Sequence, residues 1–314
     1  VPHPGWAPLA PDTPAPPKPG VIPLAPLSLG DCFGALAGLV RGYWRPLLVL
    51  GATIYGIAYT LTYTASTAAV LSLGSDDPFI DLDQGLSGAL IVSVTLLLLL
   101  AMALHFTADA MAGALAPAVL REAVLGRPAP TADIRRQAVR RTPALLGATA
   151  LTTLACAAPV VAVLWLTLMS GPMTLLLLLL VLPFLVWFWT RCSLAPAVVV
   201  LEGAGPMTAL RRSFRLVRGS WWRVFGIQLL MGAIGLATAT VLVMPFELLG
   251  SAAPSAAGDG VEFTLGLLLL LPTIAGALVT TLLSRLTVAL LYTDQRIRRE
   301  GLAPALAEAA YSPR

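Results

Sequence analysis

A chain of 314 residues that is 57 % hydrophobic and 11 % charged falls far short of the roughly 25 % charged residues of a soluble domain, so a water-soluble globule is excluded. The mean hydropathy of +0.84 points the same way. The net charge of +4 rests almost wholly on Arg, Lys18 being the single Lys, and the three cysteines (Cys32, Cys156, Cys192) form no CxxC pair, which argues against a disulfide framework or a thiolate metal site.

The opening tract, "VPHPGWAPLAPDTPAPPKPGVIPLAP", is punctuated by Pro and has no apolar run able to build a core, so residues 1–27 are expected to be a disordered tail with polyproline-II character. Residues 28–44, "SLGDCFGALAGLVRGYW", then place Phe33, Leu36, Val40 and Tyr43 at helical steps, ending on Trp44. Ser28 and Asp31 have capping-box spacing at the start of that helix. Two apolar runs follow, at about 46–73 and 85–110, each able to cross a bilayer, which takes about 20 residues. In the first, Tyr55, Tyr59 and Tyr63 form an i, i+4, i+8 stripe that reads as a packing seam rather than a path. Asp76, Asp77, Asp81 and Asp83 between the two runs lack the full EF-hand spacing, so a Ca²⁺ site there is disfavoured.

The next segment, "TADIRRQAVRRTP" (131–143), is rich in Arg and poor in apolar anchors. Spans at about 143–169 and 172–200 follow, separated by the turn "SGP". Residues 206–222, "PMTALRRSFRLVRGSWW", put Met207, Leu210, Phe214, Val217 and Trp221 on one stripe and Arg211, Arg212, Arg215 and Arg218 on the remaining face. Such a helix is expected to lie in the headgroup plane, with Phe214, Trp221 and Trp222 at the interface and its Arg near anionic lipid of the inner leaflet. Spans at about 222–249 and 263–291 complete a membrane domain of residues 28–300, and 301–314 form a short tail.

Charge orients the six spans. Arg crowds the segments after spans two, four and six, whereas "GSDDPFIDLDQ" and "GSAAPSAAGDGVE" carry no basic residue. Basic residues are retained on the cytoplasmic side, which places both termini there. That bias accounts for the basic patches without nucleic acid as a partner. "LVRGYW" (39–44) recurs as "LVRGSWW" (216–222), and "LAPAV" (115–119) recurs at 194–198. The expected fold is therefore all-α and polytopic: three repeated units, each an interfacial helix followed by a transmembrane hairpin, related by an axis along the membrane normal.

Three segments, "KPGVIPLAPLSLGDCFGAL" (18–36), "RCSLAPAVVVLEGAGPMTALRRSFRLVRGSWWRVFG" (191–226) and "LLYTDQRIRREGLAPALAEAA" (290–310), carry a family likeness. In them the chain resembles the actinobacterial integral membrane proteins of the glycerophosphoryl diester phosphodiesterase membrane-domain family. The resemblance implies a helical plasma-membrane protein of undefined molecular activity. The enzyme that lends the family its name is a barrel of about 250 residues with a His, Glu and Asp metal constellation. Here the His are His3 and His105 and no soluble segment approaches that length, so no phosphodiesterase chemistry is expected.

Ionisable residues inside spans are costly and mark candidate sites. His105 and Asp109 sit one turn apart near the inner end of span two, Arg191 and Arg285 near the inner ends of spans four and six. One reading is an inward-facing pocket for an anionic headgroup or phosphate. The favoured one is an Asp109–Arg pair, with either Arg, that locks helices, the second Arg snorkelling to the headgroups. A His105–Asp109 metal site lacks further ligands, and no cofactor is expected. The function read from these features is a non-enzymatic scaffold or lipid- or partner-binding component. The alternative is a transporter or flippase-like protein using an Arg pocket.

Overall fold

The computed structural model describes residues 27–73, 88–124, 126, 130–251, 259–301 and 308. The Pro-rich tail, the four-Asp segment and most of the C-terminal tail lie outside the described residues. Eight α-helices are described: α1 (Leu29–Leu73), α2 (Gly88–Val124), α3 (Thr131–Ser170), α4 (Leu178–Cys192), α5 (Ala195–Glu202), α6 (Pro206–Val217), α7 (Trp221–Ser251) and α8 (Asp259–Glu300). A 3₁₀ turn, Pro172–Leu177, leads into α4, and no strand occurs among the described residues. Six helical stretches are long and apolar enough to cross a membrane, α4 and α5 together making the fourth. The protein is an all-α polytopic membrane protein.

The helices overrun the expected spans at the Arg-rich end: α2 continues to Val124, α3 already begins at Thr131, and α8 runs to Glu300. The core lies at this end, in the last turns of the expected spans and the turns beyond them. Leu115, Val119 and Leu120 of α2, Val198 of α5, and Leu290, Leu291 and Tyr292 of α8 are all buried there. The opposite ends of the spans are open, with Leu180 and Val241 still 74 % and 73 % exposed, the apolar surface that a spanning helix offers to lipid. Sequence periodicity cannot separate the two, because an apolar side chain serves equally against lipid or protein.

The entry helix starts as its spacing predicts. The Asp31 carboxylate accepts from the Ser28 backbone N–H at 2.9 Å, and Ser28 Oγ accepts from the Asp31 N–H at 3.1 Å. At Tyr43 (φ −126°, ψ 26°) the helix kinks before Pro46, where the interfacial part meets the span. The apolar stripes are divided between protein contact and open surface. The first segment buries Cys32, Ala35, Leu36 and Leu39 and leaves Phe33 and Val40 exposed; α6 buries Ala209, Ser213, Leu216 and Val217 and leaves Met207 exposed. Small side chains let the backbones come close at Ala35, Ala209 and Ser213, while Leu36, Leu39, Leu216 and Val217 fill the space beside them. The same device joins α7 to α8. A Cβ on Gly235 would lie 3.2 Å from Thr280 Cα, and one on Gly276 would lie 3.2 Å from the Ala239 Cβ.

Tyr55, Tyr59 and Tyr63 do form a seam. Tyr55 is buried and shares a hydrogen bond with Thr281 of α8; Tyr59 meets the His105 ring edge-on at 4.6 Å; Tyr63 reaches Gly266, where any Cβ would collide with its hydroxyl.

At the Arg-rich end a polar network ties the bundle together. Asp294 is fully buried and takes Arg298 at 2.9 Å, Arg223 at 3.2 Å and the Leu27 backbone N–H at 2.9 Å. The same two Arg donate to the Leu27 carbonyl, so the start of α1, the start of α7 and the end of α8 meet at one point. Beside it, Glu202 accepts from Arg212 and from the Tyr292 hydroxyl, while Glu300 takes Arg212 and Arg296. Arg299 donates to the carbonyls of Arg215 and Arg218 at the C-terminal end of α6, where a cation opposes the helix dipole.

Removing the buried carboxylate strands two guanidinium groups and an amide N–H. Asp294→Ala should cost about 3 kcal/mol, checked as a marked fall in melting temperature of the detergent-solubilised protein. Arg211→Ala, exposed on α6 and outside that network, should leave the melt unchanged.

Candidate functional site

The sequence placed four ionisable residues at one depth, and the structure divides them. Arg285 Nη2 donates to Asp109 Oδ2, tying α8 to α2. Arg191 is elsewhere: its guanidinium carbon lies 4.5 Å from the Trp187 ring centroid and 5.8 Å from that of Phe214. The Arg191 Nε is buried without a hydrogen-bond partner among the described residues. His105 turns away from Asp109, its Nδ1 2.8 Å from the Ala101 carbonyl and its ring against Tyr59. One helical turn separates His105 and Asp109 along α2, but each points to a different neighbouring helix. Among the described residues no three His, Cys, Asp or Glu side chains converge as a metal site. Arg285 and Asp109 come together, and Arg191 does not join them.

The interfacial residues also separate. Phe214 packs edge-on against Phe188 (5.5 Å) and Trp187 (6.4 Å) of α4, so it anchors α6 to protein. Trp221 stacks on Phe225 at 5.0 Å and its indole N–H donates to the Trp187 carbonyl, whereas Trp222 is 78 % exposed. Trp44 is half-exposed, with Arg45 over its ring at 5.4 Å. Arg212 is committed to Glu202 and Glu300, while Arg211, Arg215 and Arg218 remain on the open face.

What sequence reading did not find is a cavity of about 520 Å³ bounded by α2, α3, α4, α5, α7 and α8. That volume is in the range of small-molecule sites. Asp109 and Arg285 stand in its wall. Thr149, Thr152 and Thr153 come from α3, Gln228 from α7, and Thr280, Thr281, Ser284 and Thr287 from α8; Trp189, Ala148, Pro196 and Val288 supply apolar surface. The signals were present as "TALTT" in α3, "TTLLSRLT" in α8 and a lone amide in the apolar run "VFGIQLLMG". Each looks dispensable alone, since a Thr in a membrane helix satisfies itself on its own backbone.

A local break opens the cavity wall. "LAPAV" lies inside continuous α2 at 115–119, but at its second occurrence the helix stops at Cys192 and restarts at Ala195. The residue before the phrase differs: Ala114 in the first copy, Ser193 in the second. Ser193 Oγ donates to the Thr190 carbonyl at 2.7 Å, and its N–H approaches the same oxygen at 3.4 Å, tightening the turn. The hydroxyl of Ser213 on α6 then takes the Arg191 carbonyl at 2.5 Å. At the break, Cys192 and Ser193 face the cavity.

Fold and site together define a polytopic helical membrane protein with a hydroxyl-rich cavity between its helices and an Asp–Arg pair in the cavity wall. The chain belongs to the family of the DUF7847 domain of unknown function, whose model matches residues 35–294 and so covers every cavity-lining residue. No curated protein matches the chain, and no solved structure does.

The pairing makes a specific expectation. Asp109→Asn leaves Arg285 in the cavity wall without its counter-ion and should lower the melting temperature in detergent micelles. Adding Arg285→Gln should recover part of that loss. Adding Arg191→Gln should recover none, because Arg191 is held by Trp187 and Phe214.

Proposed function

We propose that this protein is a non-enzymatic, lipid-binding component of the plasma membrane, with both termini and the Arg-rich end of the bundle cytoplasmic. The observation that carries this reading is the cavity. It combines a polar wall of hydroxyls, an amide and a neutralised ion pair with apolar surface from Trp189, Pro196 and Val288, the two surfaces an amphiphile needs. Arg211, Arg215 and Arg218 on the open face of α6 would meet anionic headgroups, each such Arg adding about 1 kcal/mol of attraction.

The transporter reading has less support, since it called for Arg191 and Arg285 in one anion pocket and each has its own partner. A scaffold for protein partners is compatible with the same surface. The threefold repeat is supported by burial: residues 115–120, 194–200 and 286–292 lie in the core at the inner ends of the second, fourth and sixth spans. The likeness to the glycerophosphoryl diester phosphodiesterase membrane-domain family stands beside this as a proposal of kinship, resting on the three quoted segments.

Two experiments test the reading. Thr149 donates only to the Leu145 and Leu146 carbonyls of its own helix, so Thr149→Phe narrows the cavity without cutting a link between helices. That variant, extracted with native membrane, should melt like the parent but carry about tenfold less bound lipid by mass spectrometry. Unchanged lipid content would remove the cavity from the proposal. For orientation, in a chain whose three cysteines are replaced by Ala, Arg211→Cys should react with an impermeant thiol reagent only after lysis, and Ser75→Cys from outside intact cells. External labelling at position 211 would invert the assignment.

A further inference from the structure

Gln228 stands in the cavity wall and is 91 % buried, only 9 % of its surface being exposed. Its Nε2 donates to Ser193 Oγ at 2.7 Å. The hydroxyl hydrogen of Ser193 is already spent on the Thr190 carbonyl, so that oxygen can only accept. The amide orientation follows: Nε2 faces Ser193, and Oε1 is turned the other way. Among the described residues nothing donates to that buried Oε1. A buried carbonyl without a donor is a costly arrangement, and it is relieved by a partner that brings one.

Four Thr hydroxyls of the wall have the same polarity. Thr149, Thr152, Thr280 and Thr287 each spend the hydroxyl hydrogen on a helix carbonyl: those of Leu145, Ala148, Gly276 and Leu283 respectively. Each oxygen keeps a lone pair. The unused hydrogen-bonding capacity of these groups is therefore acceptor capacity. Asp109 cancels the charge of Arg285, so the wall has no net charge to attract an ion. A charged ammonium donor would exchange its hydration for neutral acceptors and a carboxylate already paired with Arg285, which disfavours it against a neutral donor.

We propose that the cavity takes a neutral polyhydroxylated headgroup, a sugar or glycerol moiety, with one hydroxyl donating to Gln228 Oε1 as a small shift of that side chain opens the buried oxygen to the cavity, and others donating to the Thr oxygens. This rests on the lipid-binding reading and narrows it to one headgroup chemistry. The same hydroxyls could come from a lipid or from a free polyol, and the probes separate these sources.

The test uses the full chain in amine-oxide micelles, a detergent without hydroxyls, titrated with decyl glucoside, decyl phosphocholine or glucose. Decyl glucoside should bind saturably and raise the melting temperature. Decyl phosphocholine, of equal chain length but without a donor, should bind at least about tenfold more weakly. Gln228→Leu should melt like the parent without ligand and lose about tenfold in affinity for the glucoside; Gln228→Met serves if the Leu variant does not fold. Glucose binding as tightly as the glucoside would uphold the hydroxyl chemistry and make a free polyol its source. Equal binding of phosphocholine, or glucoside affinity unchanged by Gln228→Leu, would overturn the headgroup assignment while leaving lipid binding intact. No binding of either amphiphile would overturn both.

Discussion

A carboxylate buried completely at Asp294 can exist only if the chain brings cations to it, and that requirement organises the bundle. Arg298 comes from the next turn of α8, but Arg223 and the Leu27 amide come from distant parts of the chain. Their meeting sets where α1 begins, where α7 begins and how α8 is rotated. Nine residues earlier on the same helix, Arg285 faces Asp109, and Thr280, Thr281 and Ser284 face the cavity. Because α8 is one continuous helix, pinning its end fixes the faces that its preceding turns present.

The second constraint is close approach. α7 and α8 touch through Gly235, Ala239, Gly276 and Thr280, and Thr280 also donates to the Gly235 carbonyl. Water is not available to drive such contacts between spans, so van der Waals fit and interhelical hydrogen bonds must do it. The cavity persists because the neighbouring walls are Thr- and Ser-rich and short, and because the helix breaks at Ser193. Its polarity comes from the same economy: each hydroxyl that satisfies its own backbone turns an oxygen toward the cavity. Structure and candidate function share these side chains, so the Thr residues that read as filler in an apolar run define the surface a ligand would meet.

Some features were legible because they depend on local chemistry or on composition. The apolar run lengths announce six spans, Ser28 and Asp31 announce a capping box, and the tyrosine stripe announces a seam. The Asp109–Arg285 pair was legible as one of two pairings, since depth along a span can be read from a sequence. Which Arg is the partner could not be, because azimuth around the bundle depends on all the neighbours. Which residues of α1 and α6 pack on protein was not legible for a related reason. Periodicity marks the bulky apolar residues, whereas contact between helices also uses the small ones beside them.

The sequence by itself determined the class: apolar runs of membrane-crossing length leave a helical chain no other way to satisfy its backbone. Only the tertiary structure decided that Asp294 is a buried hub, that Arg191 sits on aromatic rings, and that Gln228 faces a cavity with its oxygen unmet. Those facts depend on helices separated by tens to hundreds of residues and packed in one rotation. A sequence pattern reports what a residue can do, and its neighbours in space decide which of those things it does.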